Sequence, residues 1–530
     1  MCDSFRFQIK KRFSLKLAFS LCFVAVLAQA GTFKPPSSVK TPTGRLRGFN
    51  VEGKYALEWS NSGYVQSDFD AVAEQGFNLV RLPLDYRCYT RKGDWYAFDE
   101  KSLKQIDQAI AWCMARGIQV MLNIHRAPGF CIHDPNGIPS PAKVPENQRG
   151  SLWVDPASRK AFLDHWAMFA RRYRRVPAEF LTFNLLNEPT GTDAETYVGL
   201  MVEAAHRVRE FRSDRPVVVD GLNVGAGLDP ILVEAALKDS LILSKHCYEP
   251  FMITHYRAPW AEGSDTWPPP VWPPTFLNSY LYGPNKEKNT DKRPLRISGP
   301  FPKGSMIGIR VGQVSMDGRL ELRADGKLIF AKEFRQGPGQ GEWKKAVYSK
   351  QWKIYQNIYD REYEVALKAE AKAISFELDQ GDWLTFNELS VALPGKEKKI
   401  FSPSGMEWGK PQASYVLSKD MKVLQPARES AIDGAAVSDP FEMEEWIAAS
   451  KRGVHVIIGE FGVYNRVPHD VALALQEAKL TSFKDAGFDW CLWALKGEFG
   501  PFDPKRQGII LDKYRGMAVD RDYLNLLKAY

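Results

Sequence analysis

Residues 180–191 read FLTFNLLNEPTG. The stretch opens as an apolar run rich in Phe and Leu and closes on Asn187-Glu188-Pro189, an amide, a carboxylate and a proline. A short apolar run bounded by a turn signal is the pattern of a buried strand. A carboxylate at its end costs free energy unless water, a partner or a proton compensates it. Glu188 therefore sits either on an open loop or in a cleft where its chemistry is used, and the rest of the chain decides between the two.

The same alternation extends to both sides. Upstream, LRGFN (46–50), FNLVRLPL (77–84) and IQVMLNIH (118–125) read as strands. Between and after them lie helical patterns at 67–76, 99–117 and 155–173, with Gly117 as a stop and Asp155-Pro156 as a start. Downstream come helices at 194–211 and 230–237, strands PVVVDG (216–221) and LILSKHCY (241–248), helix 439–453, strand VHVIIGE (454–460), helix 470–487, strand DWCLWAL (489–495) and a last helix at 521–528. Eight strands alternating with eight helices predict parallel strands joined by helical crossovers, either a (β/α)8 TIM barrel or an open doubly wound sheet. No glycine-rich nucleotide loop follows the first strand, which disfavours the open dinucleotide-binding sheet. The expected fold class is α/β, a (β/α)8 barrel.

The rhythm breaks at residues 284–425. There the period changes to two, in GSMIGIRVGQVSM, GRLELRADGKLIFAKEF, EYEVALKAEAKAISFEL and DWLTFNELSVAL, with Gly and Asp-Gly between the runs. This predicts a β-sandwich inserted after strand six, either structural or an extension of a binding surface beside the barrel mouth. The barrel then occupies 31–283 and 426–530.

In a parallel barrel the chemistry gathers at the C-terminal ends of the strands. The polar residues that stand out fall there: Arg81, His125, Asn187 with Glu188, His246 with Tyr248, Glu460, and the aromatic Trp493. Any one of them alone reads as a satisfied structural group; six strand ends together read as a site. Two glutamates facing each other across a barrel mouth point to glycoside hydrolysis. One carboxyl protonates the leaving oxygen, and the other attacks the anomeric carbon or activates water. Arg81 is expected to hold Glu460 as the anion and Tyr248 to donate a hydrogen bond to it. Asn187 would take the neighbouring sugar hydroxyl, and Trp493 would supply an apolar face under the ring. HYRAPWAEGSDTWPPPVWPPTF (255–276) places Trp260, Trp267 and Trp272 on a proline-stiffened loop, where they would either stack on sugars or pack the insertion on the barrel.

The constellation resembles glycoside hydrolase family 5, the cellulases, mannanases and related β-glycanases. That family carries Arg on strand two, His on strand three, Asn-Glu on strand four, His-x-Tyr on strand six, Glu on strand seven and Trp on strand eight. Here Arg81, His125, Asn187-Glu188, His246-Cys247-Tyr248, Glu460 and Trp493 match it. HRAPGF (125–130) and HCYEPFMITHYRAPW (246–260) look like the clostridial endoglucanases of the family, which also carry extra structure after strand six. The resemblance implies a retaining enzyme with Glu188 as acid/base and Glu460 as nucleophile. Arg81, Asn187, His246 and Tyr248 complete the catalytic set, and His125 and Trp493 bind substrate. The substrate it implies is a β-linked glucan, with an endo-β-1,4-glucanase expected first. β-Mannanase, β-1,3-glucanase and transglycosylase are alternatives on the same fold. A non-catalytic carbohydrate-binding protein is a further alternative, though it would be expected to lack one glutamate.

The remaining features bound the partners. A net charge of +8 over 530 residues gives little reason for a nucleic-acid partner. Lys10, Lys11, Arg12 and Lys16 precede LAFSLCFVAVLAQA, which ends on a small-residue cleavage pattern at Ala28-Gln29-Ala30. Residues 1–30 are thus expected to be a secretory signal, making the mature chain secreted or periplasmic and not membrane-bound. No compact His/Cys/Asp cluster has metal-ligand spacing, so neither metal nor cofactor is expected. His133-Asp134 reads as a solvated loop pair or a sugar contact. Five cysteines follow the leader, and Cys88 and Cys131, past successive strands, are the pair best placed to meet. The expected partner is a polysaccharide or oligosaccharide bound by a monomer.

Overall fold

The computed structural model describes residues 33–36, 38–134, 150–272, 277–284, 293–350, 352–403, 405–406, 408–409, 412–417, 424–426 and 441–530. The expected leader, residues 1–30, lies outside them. Eight parallel strands close a barrel: β1 (Arg47–Asn50), β2 (Leu79–Asp85), β3 (Gln119–Arg126), β4 (Leu181–Asn184), β5 (Val217–Asp220), β6 (Ile242–Cys247), β7 (Val456–Phe461) and β8 (Asp489–Leu492). Each is followed by a helix: α1 (Gln66–Glu74), α2 (Glu100–Arg116), α3 (Pro156–Arg172), α4 (Ala194–Arg209), α5 (Pro230–Asp239), α6 (Glu444–Lys451), α7 (His469–Asp485) and α8 (Arg521–Ala529).

The local chemistry explains these boundaries. Asp99, Asp155, Asp193, Asp229 and Asp520 each accept a backbone N–H of the first helical turn, starting α2, α3, α4, α5 and α8. Such a cap contributes about 1 kcal/mol. Gly117 stops α2 in the left-handed region, at φ 72°. The strands bury both faces. One face packs on the helices in the main core; inside the barrel, Leu79, Met121, Val218, Ile457 and Cys491 form a separate apolar cluster.

That inner cluster positions the site. Side chains two residues apart on a strand share a face. One step up from Leu79, Met121 and Val218 come Arg81, Asn123 and Asp220, so a buried polar layer lies directly on the apolar one. On β7 the same step would put Gly459 inward and Glu460 out among the helices. Instead the β6–β7 register shifts between Ile458 and Glu460, and Glu460 is paired with His246. This one-residue bulge turns the glutamate into the barrel. Gly459 permits it, since a Cβ there would run into the Ser244 hydroxyl.

Gly48 shows how closely the barrel is packed. A Cβ on it would drive into the carbonyl oxygen of Leu79 on the paired strand β2. Gly48→Ala is therefore expected to destabilise the barrel by about 3 kcal/mol, the upper end for overpacking. Urea unfolding followed by tryptophan fluorescence reads this directly, and a midpoint within experimental error of the parent would refute it.

Between β6 and α6 the chain builds two six-stranded sheets. One runs in the order Lys327–Phe334, Gly318–Ala324, Ala371–Gln380, Leu295–Phe301, Ser414–Leu417, Leu424–Pro426; only its Leu295–Phe301/Ser414–Leu417 pair is parallel. The other is ordered Lys345–Ser349, Ile354–Ala366, Met306–Ser315, Trp383–Ala392, Lys399–Phe401, with Tyr280–Tyr282 also paired to Trp383–Ala392. Leu320, Leu322 and Phe376 from the first sheet and Val311, Leu384 and Phe386 from the second share one core, separate from that of the barrel. Among the described residues no helix is long and apolar enough to cross a membrane.

Candidate active site

Arg81 is the hub. It is fully buried, and its guanidinium donates from Nε to Asn184 Oδ1 (2.9 Å), from Nη1 to Asn50 Oδ1 (2.8 Å) and Glu460 Oε1 (2.5 Å), and from Nη2 to Asn187 Oδ1 (2.7 Å). One planar fork thus ties β1, β2, β4 and β7 together, which a lysine's single ammonium could not do. Tyr248, just past β6, donates from its hydroxyl to the other Glu460 oxygen at 3.1 Å. Burial pushes the Glu460 carboxyl above its ordinary range; His246 and Arg81 pull it down, and Glu188 and Asp220 push it up again. The sequence expectation had Arg81 holding Glu460 as an anion. The pair exists and draws the Glu460 pKa down, while burial leaves it above the ordinary value.

Glu188 adopts φ 47°, in the left-handed region that a residue with a Cβ enters at a cost. Its backbone N–H is held by Asp220 Oδ2 at 3.2 Å, and its Oε1 lies 2.9 Å from His246 Nδ1. A strand that ends on a carboxylate is thereby turned into the cleft, where a prepared partner meets the acid. Carboxylate oxygens of Glu188 and Glu460 and a nitrogen of His246 all lie within 4.8 Å of one another. Burial drives the proton off His246, but Glu460 and Asp220 outweigh it and carry its pKa up to about 10.

His125, on β3, is buried and stacks between His133 (5.5 Å) and Trp493 (5.5 Å), with Tyr55 edge-on at 4.7 Å. Burial, then His133 and Arg81, hold its pKa well below the usual histidine value, so it is neutral. Tyr55 also meets Trp493 at 5.1 Å and Trp59 at 6.4 Å, and Trp59 is largely exposed. Asn187 has an amide nitrogen with no protein hydrogen-bond acceptor, and it is fully buried. Glu52, beyond β1, is open to solvent but crowded by protein; desolvation, then Glu460 and Glu498, push its carboxyl up to about 7.

The three loop tryptophans diverge. Trp260 is 55% exposed and meets Tyr464 and Phe499 edge-on or tilted. Trp267 is only 6% exposed and packs into the main core beside Phe251, so it offers no face to a sugar. Trp272 is half-buried, stacked on Phe441. The stiff prolines fixed the loop's course inward as well as outward, and the sequence reading gave all three rings one role.

Two smaller expectations also change. Cys88 and Cys131 are buried thiols and not a disulfide; each is packed into its own turn after its strand, and burial pushes both thiols up. His133-Asp134 is solvated at one residue only: His133 is exposed, with Nε2 2.8 Å from the Tyr55 hydroxyl, whereas Asp134 is buried against Arg126. Asp220, Asn50, Asn184 and Tyr55 belong to the site but were not picked out from sequence. For the first two the signal was present, since Asn50 ends strand one and Asp220 ends strand five, the same places that marked the others.

Known proteins resemble this arrangement. Residues 37–283 match the family model of cellulase (glycosyl hydrolase family 5). Endoglucanase C of Acetivibrio thermocellus is 29% identical over 210 residues, 40% of this chain and 57% of that protein. Cellodextrinase A of Ruminococcus flavefaciens is 24% identical over 226 residues, 41% of this chain and 62% of that one. The chain thus spans less than two thirds of the length of these relatives. A solved structure described as a glycoside hydrolase aligns over 92% of this chain and 99% of its own, with TM-score 0.55 and 23% identity, a likeness of fold. The match to the cellulase model of glycosyl hydrolase family 5 thus spans the first six strands of a barrel whose strand-end residues gather at one mouth.

Proposed function

We propose that the chain is a retaining glycoside hydrolase that cleaves β-linked glucan, first among candidates as an endo-β-1,4-glucanase. The observation that carries this reading is the placement of Glu188 and Glu460, with carboxylate oxygens within 4.8 Å of each other. Retaining enzymes hold their two carboxyls about 5 Å apart, whereas inverting enzymes need roughly 6.5–9.5 Å to admit water. In the first step a Glu460 oxygen bonds to the anomeric carbon as the glycosidic C–O bond breaks, and Glu188 gives its proton to the departing oxygen. In the second, Glu188 takes a proton from water as that water displaces Glu460, restoring both groups. Arg81 and Tyr248 hold Glu460 for attack. The unpaired amide of Asn187 is available to the sugar's 2-hydroxyl, and Trp493, His125 and Tyr55 form the wall beside it.

The relatives' names, an endoglucanase and a cellodextrinase, support a glucan over a mannan. The substrate is a polysaccharide or oligosaccharide outside the cytoplasm, reached through the N-terminal leader, and the mature chain acts as a monomer without nucleic acid or membrane. Reducing-end release from carboxymethylcellulose, mixed-linkage glucan, mannan, xyloglucan and laminarin tests the class. Release from the first two is expected. Release from mannan or laminarin alone would replace the substrate, and no release from any would remove the activity. Product analysis on oligosaccharides separates hydrolysis from transglycosylation.

The insertion extends the cleft in this reading. Asn387 of the sandwich donates to Thr266 in the loop that carries Trp260, at 3.2 Å to both its carbonyl and its hydroxyl oxygen. Replacing residues 284–425 by a short Gly/Ser linker, or Trp260 by Ala, is expected to lower activity on polymer about 5- to 10-fold more than on an aryl cellobioside. A ring lost from a stacked contact is worth about 0.5–1.5 kcal/mol. Equal losses on both substrates would mean that sandwich and ring serve only to brace the barrel.

A further inference from the structure

Asp220 ends β5, fully buried, with its carboxylate accepting two hydrogen bonds and lying at ion-pair distance from two further groups. Oδ1 accepts from Asn184 Nδ2 at 2.8 Å; Oδ2 accepts the Glu188 backbone N–H at 3.2 Å and lies 3.2 Å from His246 Nε2 and 3.9 Å from Arg81 Nη2. On its other side His246 presents Nδ1 to Glu188 Oε1 at 2.9 Å and to Glu460 Oε2 at 3.6 Å. Both ring nitrogens of this buried imidazole therefore lie beside carboxyl groups, Nδ1 in hydrogen-bond geometry with Glu188 and Nε2 at ion-pair distance from Asp220.

Two proton arrangements are compatible with such a ring. In one, His246 is neutral, carries its proton on Nε2 towards Asp220, and accepts at Nδ1 a proton held by Glu188 on Oε1. That proton then points away from the substrate. In the other, His246 carries both protons, its Nδ1–H occupies Glu188 Oε1, and the transferable proton of Glu188 is left on Oε2. Only the second leaves the acid ready to protonate a leaving group, and it needs a fixed negative charge behind the ring.

We propose that Asp220 is a positioning residue that keeps His246 a two-proton imidazolium, and so keeps the transferable proton of Glu188 on Oε2. The inference rests on the glycosidase reading for its purpose but not for its geometry. The groups facing His246 are Arg81 from β2 and the neutral His125 from β3, Glu188 from the end of β4, Asp220 from β5 and Glu460 from β7. Without Glu188 their charges cancel, Arg81 and His246 against Asp220 and Glu460. Burial pushes the Asp220 carboxyl up, yet His246, then Arg81 and Asn184, hold it below the ordinary carboxylate range, so its charge persists. Removing that charge leaves the ring one anion short and favours the neutral tautomer.

The test is histidine ¹⁵N NMR on the uniformly labelled chain from about pH 5 to about pH 9, with the His246 signals assigned by their loss in His246→Gln. In the parent both His246 nitrogens are expected to read as protonated across the range. In Asp220→Asn one nitrogen is expected to lose its proton within it. Kinetically, Asp220→Asn is expected to lose about 100-fold on polymeric glucan, the scale of general-acid help, and much less on a dinitrophenyl glycoside that needs no acid. A neutral His246 in the parent at pH 6, unchanged protonation in the variant, or equal losses on both substrates would each overturn the proposal. The spectra need no substrate, so a chain inactive on every glycan would sink the functional reading without touching the measured proton state.

Discussion

Glu460→Gln is expected to lower kcat/KM by roughly five orders of magnitude, about 7 kcal/mol of barrier, on polymer and on activated aryl glycosides alike. The loss is common to both because no leaving group, however good, replaces the atom that bonds to the anomeric carbon. Glutamine keeps the size of the side chain and most of its hydrogen-bond geometry, so the variant should fold. It also relieves a buried carboxyl whose pKa burial has raised. Glu188→Ala separates the two roles. With a dinitrophenyl leaving group its first step should stay near the parent rate, while deglycosylation slows because no base activates water. An initial burst followed by slow turnover is the expected trace. On polymer, whose leaving oxygen needs the proton, the same variant should lose about 10³-fold or more, within the general-acid range. Glu460→Gln turning over either substrate at more than a small fraction of the parent rate would reassign the nucleophile, and a Glu188→Ala variant whose first step is equally slowed on both substrates would reassign the acid.

How much of this was readable from sequence depends on what kind of signal each residue leaves. The barrel was legible because its strands are apolar on both faces and five of its eight helices start on Asp, so 119–126 or 456–461 could be placed to within a residue or two. Arg81, Glu188, His246 and Glu460 were legible because a charged residue at the end of an apolar run has no local explanation. Asp220 ends the run PVVVD in the same way, but nothing in the chain says that its oxygens meet Asn184, Glu188 and His246 from neighbouring strands. The β7 bulge is likewise invisible; Ile457-Ile458-Gly459-Glu460 read as a regular strand points its glutamate the wrong way. Trp267 failed for a related reason. A tryptophan among prolines looks the same whether its ring turns out to a ligand or in to Phe251, and only tertiary packing chooses.

The other large effect concerns Arg81→Met. Methionine fills part of the volume but removes every donor, depriving Asn50, Asn184 and Asn187 of the Arg81 hydrogen bonds and leaving Glu460 and Asp220 with His246 alone of the two cationic groups beside them. Breaking a buried pair from one side costs about 3–5 kcal/mol, because the remaining charge stays enclosed. The pH dependence has a definite sign. Loss of Arg81 raises the Glu460 pKa further, in the direction burial already pushes it. A carboxyl whose folded pKa lies above its unfolded value binds more protons when folded. Stability of the variant therefore increases as pH falls through the folded pKa and levels off below the unfolded one. The stability deficit against the parent should be greatest near neutrality and shrink towards mildly acid pH, as read by urea unfolding across that range. In kinetics the acidic limb of kcat/KM should move to higher pH by about 1–3 units, since more of the nucleophile is protonated at any given pH. Above that limb a deficit of roughly 100-fold should remain, because Asn187 and Glu460 are no longer held in place. Arg81→Lys distinguishes charge from fork: a single ammonium should return the limb towards its original pH but recover little of the rate, having no second arm for Asn187. An Arg81→Met variant that is folded and active with an unmoved acidic limb would mean that the guanidinium only ties together β1, β2 and β4, and that Glu460 owes its ionisation to His246 and Tyr248.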